Sequence, residues 1–197
     1  FNRITGTRSA VGNIAGITIE ACSAPGIISG SENWEFVDLP GIYNLHAQTE
    51  DGRVTEDALI NPGGKWNPNV ILLIADKSTL QGQVFLALQI RELEIPCILL
   101  LNRMNYETVD PQLCGILEKG LGIPVREIQA LKDDPADWVN MLSPLLHQPT
   151  VCSILRKVPE SIEESLKILN AVMPYGTLGY LCHLARMNHA PSWLNEE

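Results

Sequence analysis

Two short apolar runs constrain this chain more than anything else in it: VILLIA at 70–75 and CILLL at 97–101. Each is of strand length and apolar at every position, so neither face of the strand can be left to water. A strand with two dry faces belongs inside a parallel sheet covered by helices on both sides. The neighbouring segments fit that demand. LQGQVFLALQIRELE (80–94) places Val84, Leu86, Leu88 and Ile90 with Ala87 and Leu93, and reads as a helix despite Gly82. VDPQLCGILEKGLG (109–122) reads as a helix opening near Asp110-Pro111 and closing at Gly120 or Gly122. IPVREI (123–128) reads as a shorter strand, and DPADWVNMLSPLL (134–146) as a helix capped by Asp134 with Pro135 in its first turn. Strand and helix alternating from residue 69 onward predict an α/β sheet with right-handed crossovers.

The first third is less regular. FNRITGT reads as the tail of a helix, and RSAVGNIAG (8–16) as a loop. ITIEAC (17–22) alternates apolar and polar residues, and WEFVD (34–38) is a matching partner across a Gly/Ser-rich turn, so an antiparallel hairpin is expected. TEDGRVTEDALI (49–60) predicts a helix interrupted near Gly52, and NPGGKWNPN (61–69) a loop. At the other end, PESIEESLKILNAVM (159–173) and YGTLGYLCHLARMN (175–188) read as two helices with no strand. Ile162, Leu166, Leu169 and Val172 form one stripe of the first, a packing face. The expected division is an α/β domain over 1–149 and a small helical subdomain over 150–197.

Composition narrows the function. A chain of 197 residues with 45% hydrophobic and 19% charged residues folds around a real core. A formal charge of −9 argues against nucleic acid and against docking on an anionic membrane surface. No apolar run approaches the roughly 18 residues that span a bilayer. Cys22, Cys97, Cys114, Cys152 and Cys182 are odd in number and contain no C-x-x-C, which reads as a reducing, cytosol-facing setting with Cys97 a small buried hydrophobe. His46, His147, His183 and His189 show no metal-ligand spacing. Trp34, Trp66, Trp138 and Trp193 read as packing groups.

In an open α/β sheet, ligands bind at the carboxyl ends of the strands. Those ends carry Asp38-Leu39-Pro40-Gly41, then Asn102-Arg103-Met104-Asn105, then Gln129-Ala130-Leu131, with Gly16-Ile17-Thr18 ahead of them. Taken alone, Asp38 before Pro-Gly is either an ordinary turn residue or a ligand at a strand end. No G-x-G-x-x-G follows a predicted strand, which argues against a dinucleotide enzyme.

The order and spacing of these elements resemble the nucleotide-binding motifs of GTPases. More narrowly, TGTRSAVGNIAGITIE (5–20), VDLPGIYNL (37–45) and the run from Asp57 through Met104 are similar to the cytosolic G domain of FeoB, the bacterial ferrous iron transporter family. The resemblance implies a P-loop GTPase-like, mostly parallel sheet flanked by helices, followed by a small helical domain. It implies GTP/GDP and Mg²⁺ as ligands, with Thr18 (behind Gly16 and Ile17) and Asp38 as metal ligands. Leu39, Pro40 and Gly41 complete the third motif, whose glycine N–H reaches the γ-phosphate. Asn102, Arg103, Met104 and Asn105 form the fourth, at the guanine edge, and the Ala130 N–H of the fifth reaches the base carbonyl. Phosphoryl transfer rests on positioning and charge neutralisation, so the absence of an obvious general base does no damage. His46 and Gln48 read as exposed loop residues, with a place near the attacking water as the alternative. The implied partner is the membrane domain of the same polypeptide, at the cytoplasmic face of the inner membrane, where GTP hydrolysis would regulate Fe²⁺ uptake.

Two departures from the family pattern stand out. The phosphate loop G-x-x-x-x-G-K-[ST] and its strand, which the family carries just ahead of the residues matching Phe1, are not in this sequence. A fragment of a longer chain is therefore expected, with two sheet edges unpaired and nucleotide affinity severely reduced or lost. Potassium activation in the parent would depend on an asparagine of that same loop. The second departure is Asn105, where the family has Asp. An amide presents one acceptor and one donor group, whereas guanine offers only donors there, which costs on the order of 1–3 kcal/mol. Relaxed base specificity, or a shift toward a base with a carbonyl at that edge, is the expected result; a solvated turn residue is the other reading of Asn105. The alternative to an active GTPase is a regulatory module that keeps the fold and has lost hydrolysis.

Overall fold

The computed structural model describes residues 1–7, 21–29, 32–45, 49–61, 64–104, 112–149 and 167–168. The loop expected over 8–16, most of the strand expected over 17–22, and the two helices expected after 158, save residues 167–168, lie outside them. Helix α1 (Asn2–Thr5) leads into strands β1 (Cys22–Ser29) and β2 (Glu32–Asp38), then α2 (Glu50–Ile60). From there β3 (Ile71–Ala75), α3 (Leu80–Glu92), β4 (Cys97–Asn102), α4 (Leu113–Leu121), β5 (Val125–Ile128) and α5 (Pro135–His147) alternate as expected.

The strands form two sheets. β3, β4 and β5 are parallel, in that order, with Leu73 opposite Leu99 and Leu99 opposite Val125. β1 and β2 form a separate antiparallel hairpin. Among the described strands, β2 pairs only with β1 and β3 only with β4. The hairpin itself is displaced from its expected limits. Its first strand begins at Cys22, where the alternation was expected to end, and it turns between Ser29 and Glu32. Pro25 and Gly26, read as turn residues, lie within β1 opposite Glu35 and Trp34. Strand pairing overrides the local turn chemistry of that dipeptide.

CILLL is buried on both faces as its composition requires, whereas VILLIA is fully covered on one face only: Ile74, on the other, is 53% exposed. Leu73, Ala75, Cys97, Leu99 and Val125 point to one face and pack with Leu86, Ile90 and Leu121 from the helices there. Ile98, Leu100 and Ile128 point to the other and pack with Trp138, Leu142 and Leu146 of α5. Burial pushes the Cys97 thiol up to about 12, so it behaves as a hydrophobe. Helix α2 runs unbroken through Gly52, against the expected interruption: Thr49 Oγ1 caps the Gly52 N–H at 3.1 Å and Glu50 and Asp51 sit in the first turn. Helix α5 starts as predicted, with Asp134 accepting from the Ala136 N–H and Pro135 behind it. α4 ends at Gly122, whose φ of 66° is the left-handed cap that a glycine adopts without strain.

Candidate functional site

Because β3, β4 and β5 are parallel, their carboxyl ends share one edge of the sheet, and the candidate residues gather there. Asn102 closes β4. Its side-chain Oδ1 accepts the Ala130 N–H at 2.9 Å, joining the end of β4 to the loop after β5. That N–H is held in place by peptide geometry. The Gln129 carbonyl, in the same peptide plane, accepts from the Lys132 and Asp133 N–H groups at 2.9 Å each, so the Ala130 N–H must point the opposite way. Arg103 turns back along the sheet. Its Nε lies 2.9 Å from Glu127 Oε1, an ion pair that is not aligned as a hydrogen bond, and its Nη2 donates to Gln129 Oε1 at 3.4 Å. Met104 is half exposed, with its sulfur 3.8 Å from Asn102 Nδ2.

Asp38 ends β2 with its carboxylate in solvent. The chain then crosses toward the start of α3. Leu39 and Ile42 rest on the core below, and Leu45 is wholly buried in it. Polar bonds from two helices hold this crossing. Thr55 Oγ1 of α2 donates to the Pro40 carbonyl at 3.1 Å, and Gln83 Nε2 of α3 donates to the Ile42 carbonyl at 3.3 Å. Gln89 Oε1 accepts the Leu45 N–H at 2.9 Å from inside the core. Gln83 and Gly82 lie at the start of α3, directly after the β3 carboxyl end, so the D-x-P-G turn belongs to the same edge as Asn102 and Ala130. Gly82 makes room there: a Cβ would sit 2.6 Å from the Tyr43 ring. Gly41 is a different case. Its φ is not left-handed, and a Cβ there would meet no atom of the described residues within 4 Å. Neither backbone strain nor crowding calls for glycine at position 41.

At the end of β3, Asp76 Oδ1 accepts from Ser78 N and Oγ and from Thr79 N and Oγ1, at 2.6–3.1 Å. The Ser78 hydroxyl leads these in holding the Asp76 carboxyl below its ordinary value. This is a turn that starts α3. Two further residues at the edge are absent from the sequence-based reading. Arg3 of α1 donates to the Ala130 and Asp133 carbonyls at 2.5 and 2.6 Å. Asp133 Oδ2 accepts from the Gln129 N–H at 2.5 Å and from Trp138 Nε1 at 3.2 Å. Asp133 had a signal, since it precedes the cap residue Asp134 in a D-D-P turn; Arg3 had none, because its partners lie 127 and 130 positions away. Gly16, Ile17, Thr18, Asn105, His46 and Gln48 lie outside the described residues. No group of three or more metal-ligating side chains occurs among the described residues.

A parallel sheet with helices on both faces and motif loops gathered at its carboxyl edge is an open α/β fold of the class that takes ligands at that edge. Within that class the chain belongs to the Ferrous iron transport protein B family, whose model it matches over residues 1–141. It is 36% identical over 132 residues to the Fe(2+) transporter FeoB of Synechocystis sp., covering 66% of this chain and 21% of that protein. It is 30% identical over 181 residues to the Fe(2+) transporter FeoB of Escherichia coli K12, covering 82% of this chain and 23% of that protein. The chain thus spans about a fifth of the length of the curated relatives it matches. Among solved structures it is similar to the cytosolic domain of T. maritima FeoB in a GDP form, at 25% identity and a TM-score of 0.61, over 87% of this chain and 66% of that one. It is also similar to the cytosolic domain of L. pneumophila FeoB, at 24% identity and a TM-score of 0.60, over 98% of this chain and 76% of that one. No described helix is long and apolar enough to cross a membrane.

Proposed function

We propose that this chain is part of the guanine-nucleotide-binding domain of a Fe²⁺ transporter, working on the cytosolic side, and that the parent protein hydrolyses GTP to regulate its membrane domain. One observation carries the reading: Asn102 is bonded to the Ala130 N–H, so the fourth and fifth motifs form a single polar surface at the strand ends. A base carbonyl arriving there would compete with Asn102 Oδ1 for that N–H. Gly41 adds support, because its backbone is open on the side that a side chain would fill. The T. maritima relative is known in GDP and GMPPNP forms.

The donor set suits magnesium. Asp38 supplies a hard carboxylate oxygen with no protein partner among the described residues, and Thr18 would supply the hydroxyl. A bound Mg²⁺ would neutralise phosphate charge, while Asn102, Ala130 and Asn105 orient the base and Gly41 donates its N–H. Asn105 predicts relaxed discrimination of guanine from xanthine, since an amide can both donate and accept.

Calorimetric titration of the full-length protein with Mg²⁺ and GDP, GTP or XDP tests the reading. Binding of GDP is expected, with XDP within about tenfold of it, a gap of about 1.4 kcal/mol. Asn102→Ala should weaken both by a similar factor. A protein that binds no purine nucleotide defeats the proposal. Binding without phosphate release from GTP would convert it to the non-hydrolysing module.

A further inference from the structure

Arg3 is an exposed arginine on a single-turn helix, yet both arms of its guanidinium are committed to backbone carbonyls of the loop after β5. Its Nη1 takes Ala130 and its Nη2 takes Asp133, while its Cζ lies 5.1 Å from the centre of the Trp138 ring. Two planar donors and a stacking face fix a guanidinium in one orientation. The same five-residue loop is closed from within by Asp133, which takes the Gln129 N–H and the Trp138 indole N–H. Between these two closures sits the Ala130 N–H, aimed at Asn102.

We propose that Arg3 is a positioning residue for the base-binding loop: by clamping residues 129–133 it presents the Ala130 N–H beside Asn102 and thereby sets how long a bound guanine nucleotide is retained. The inference rests on the function proposed above. Its physical content is a coupling of α1 to the base site. A base carbonyl bonded to a loop held in one conformation leaves only when that bond breaks. A base bonded to an unheld loop leaves whenever the loop moves. The effect therefore falls on dissociation, with association nearly unchanged.

The test uses the full-length protein with labelled GDP, chased by unlabelled GDP, alongside hydrogen exchange over residues 129–133 without nucleotide. Arg3→Ala is expected to speed both GDP release and loop exchange by about tenfold, the scale of losing a charge-assisted hydrogen bond. Arg3→Lys keeps the charge and one carbonyl contact and should recover part of the retention. Ile4→Ala removes a contact between α1 and the α5-side core while leaving the Arg3 guanidinium and its two carbonyl acceptors in place, so it should lower thermal stability while leaving release within about twofold. Release from Arg3→Ala within twofold of the wild type overturns the inference while the nucleotide site stands. So does Ile4→Ala releasing GDP as fast as Arg3→Ala. A wild type that retains no GDP removes the proposed function and the retention role together, and the exchange arm then still reports whether Arg3 holds the loop.

Discussion

The two sheets of this molecule are kept dry by different means. In the parallel sheet, Leu73, Ala75, Ile98, Leu99, Leu100 and Val125 are all buried, on alternating faces, against helices α3, α4 and α5. In the hairpin, Ala24 is the one buried apolar side chain among those described; Trp34 and Phe36 are half covered where they lean on the α5 cluster. Beside the apolar anchors Leu39, Ile42 and Leu45, polar straps tie this side to the rest: Gln83, Gln89 and Thr55 on the crossing after Asp38, and Arg3 on the loop after β5. Apolar burial is lost only by unfolding, whereas single hydrogen bonds can open one at a time. The crossing after Asp38 therefore depends in part on bonds that can rearrange locally while the parallel sheet holds.

The largest test of that contrast is in the core. Leu99 is fully buried at the centre of the parallel sheet, and Leu99→Ala should cost about 2–5 kcal/mol of unfolding free energy. Phe36→Ala removes a bigger side chain, but a half-covered one, and should cost only about 1–2 kcal/mol. Urea denaturation of both variants measures the pair. Equal losses would mean that the hairpin is as much a part of the core as β4 is.

A strap is the next target. Gln89 is 7% exposed and Leu45 only 1%, so removing the amide leaves a buried N–H with nothing to bond. Gln89→Leu should cost about 1–3 kcal/mol despite its added hydrophobicity. The same variant sharpens the comparison by location. Hydrogen exchange should quicken over residues 42–45 and stay unchanged in β3, β4 and β5. Faster exchange throughout the parallel sheet would show that the strap belongs to the core rather than to the crossing.

The sequence carried the parallel half well and the hairpin half poorly, for a physical reason. CILLL has no reading other than two-sided burial, and Asp134-Pro135 and Gly122 mark helix ends by local chemistry alone; VILLIA carries the same signal, yet Ile74 on its second face is 53% exposed. Pro25-Gly26 carries an equally clear local signal, for a turn, and pairing with Trp34 and Glu35 overrides it. The site divides the same way. Asp38, Gly41, Asn102 and Ala130 are visible because their motifs are contiguous. Arg3 and Gln89 are invisible because each bonds a backbone atom far away in the chain, and any residue type could own that atom.

The smallest effect separates the two kinds of loop at the carboxyl edge of the sheet. Asp133 and Asp76 are both held below the ordinary carboxyl value of 3.8. For Asp133 the leading cause is the Gln129 N–H, opposed next by desolvation, with the Trp138 indole and the nearby charges of Arg103 and Arg3 adding lesser downward pulls. For Asp76 the leading cause is the Ser78 hydroxyl, within its own turn. A carboxyl whose folded value lies below its unfolded one contributes stability that is complete above 3.8 and drains away as pH falls through the folded value. Stability should therefore decline from about pH 4 downward, and Asp133→Asn should flatten part of that decline. Arg3→Ala supplies the sharper measurement by NMR titration. It removes one charge near Asp133 and none of the causes acting on Asp76, so the Asp133 midpoint should rise slightly while that of Asp76 stays put. Movement of both together would mean that the edge responds as one unit, and the distinction between a self-contained turn and a strapped loop would be lost.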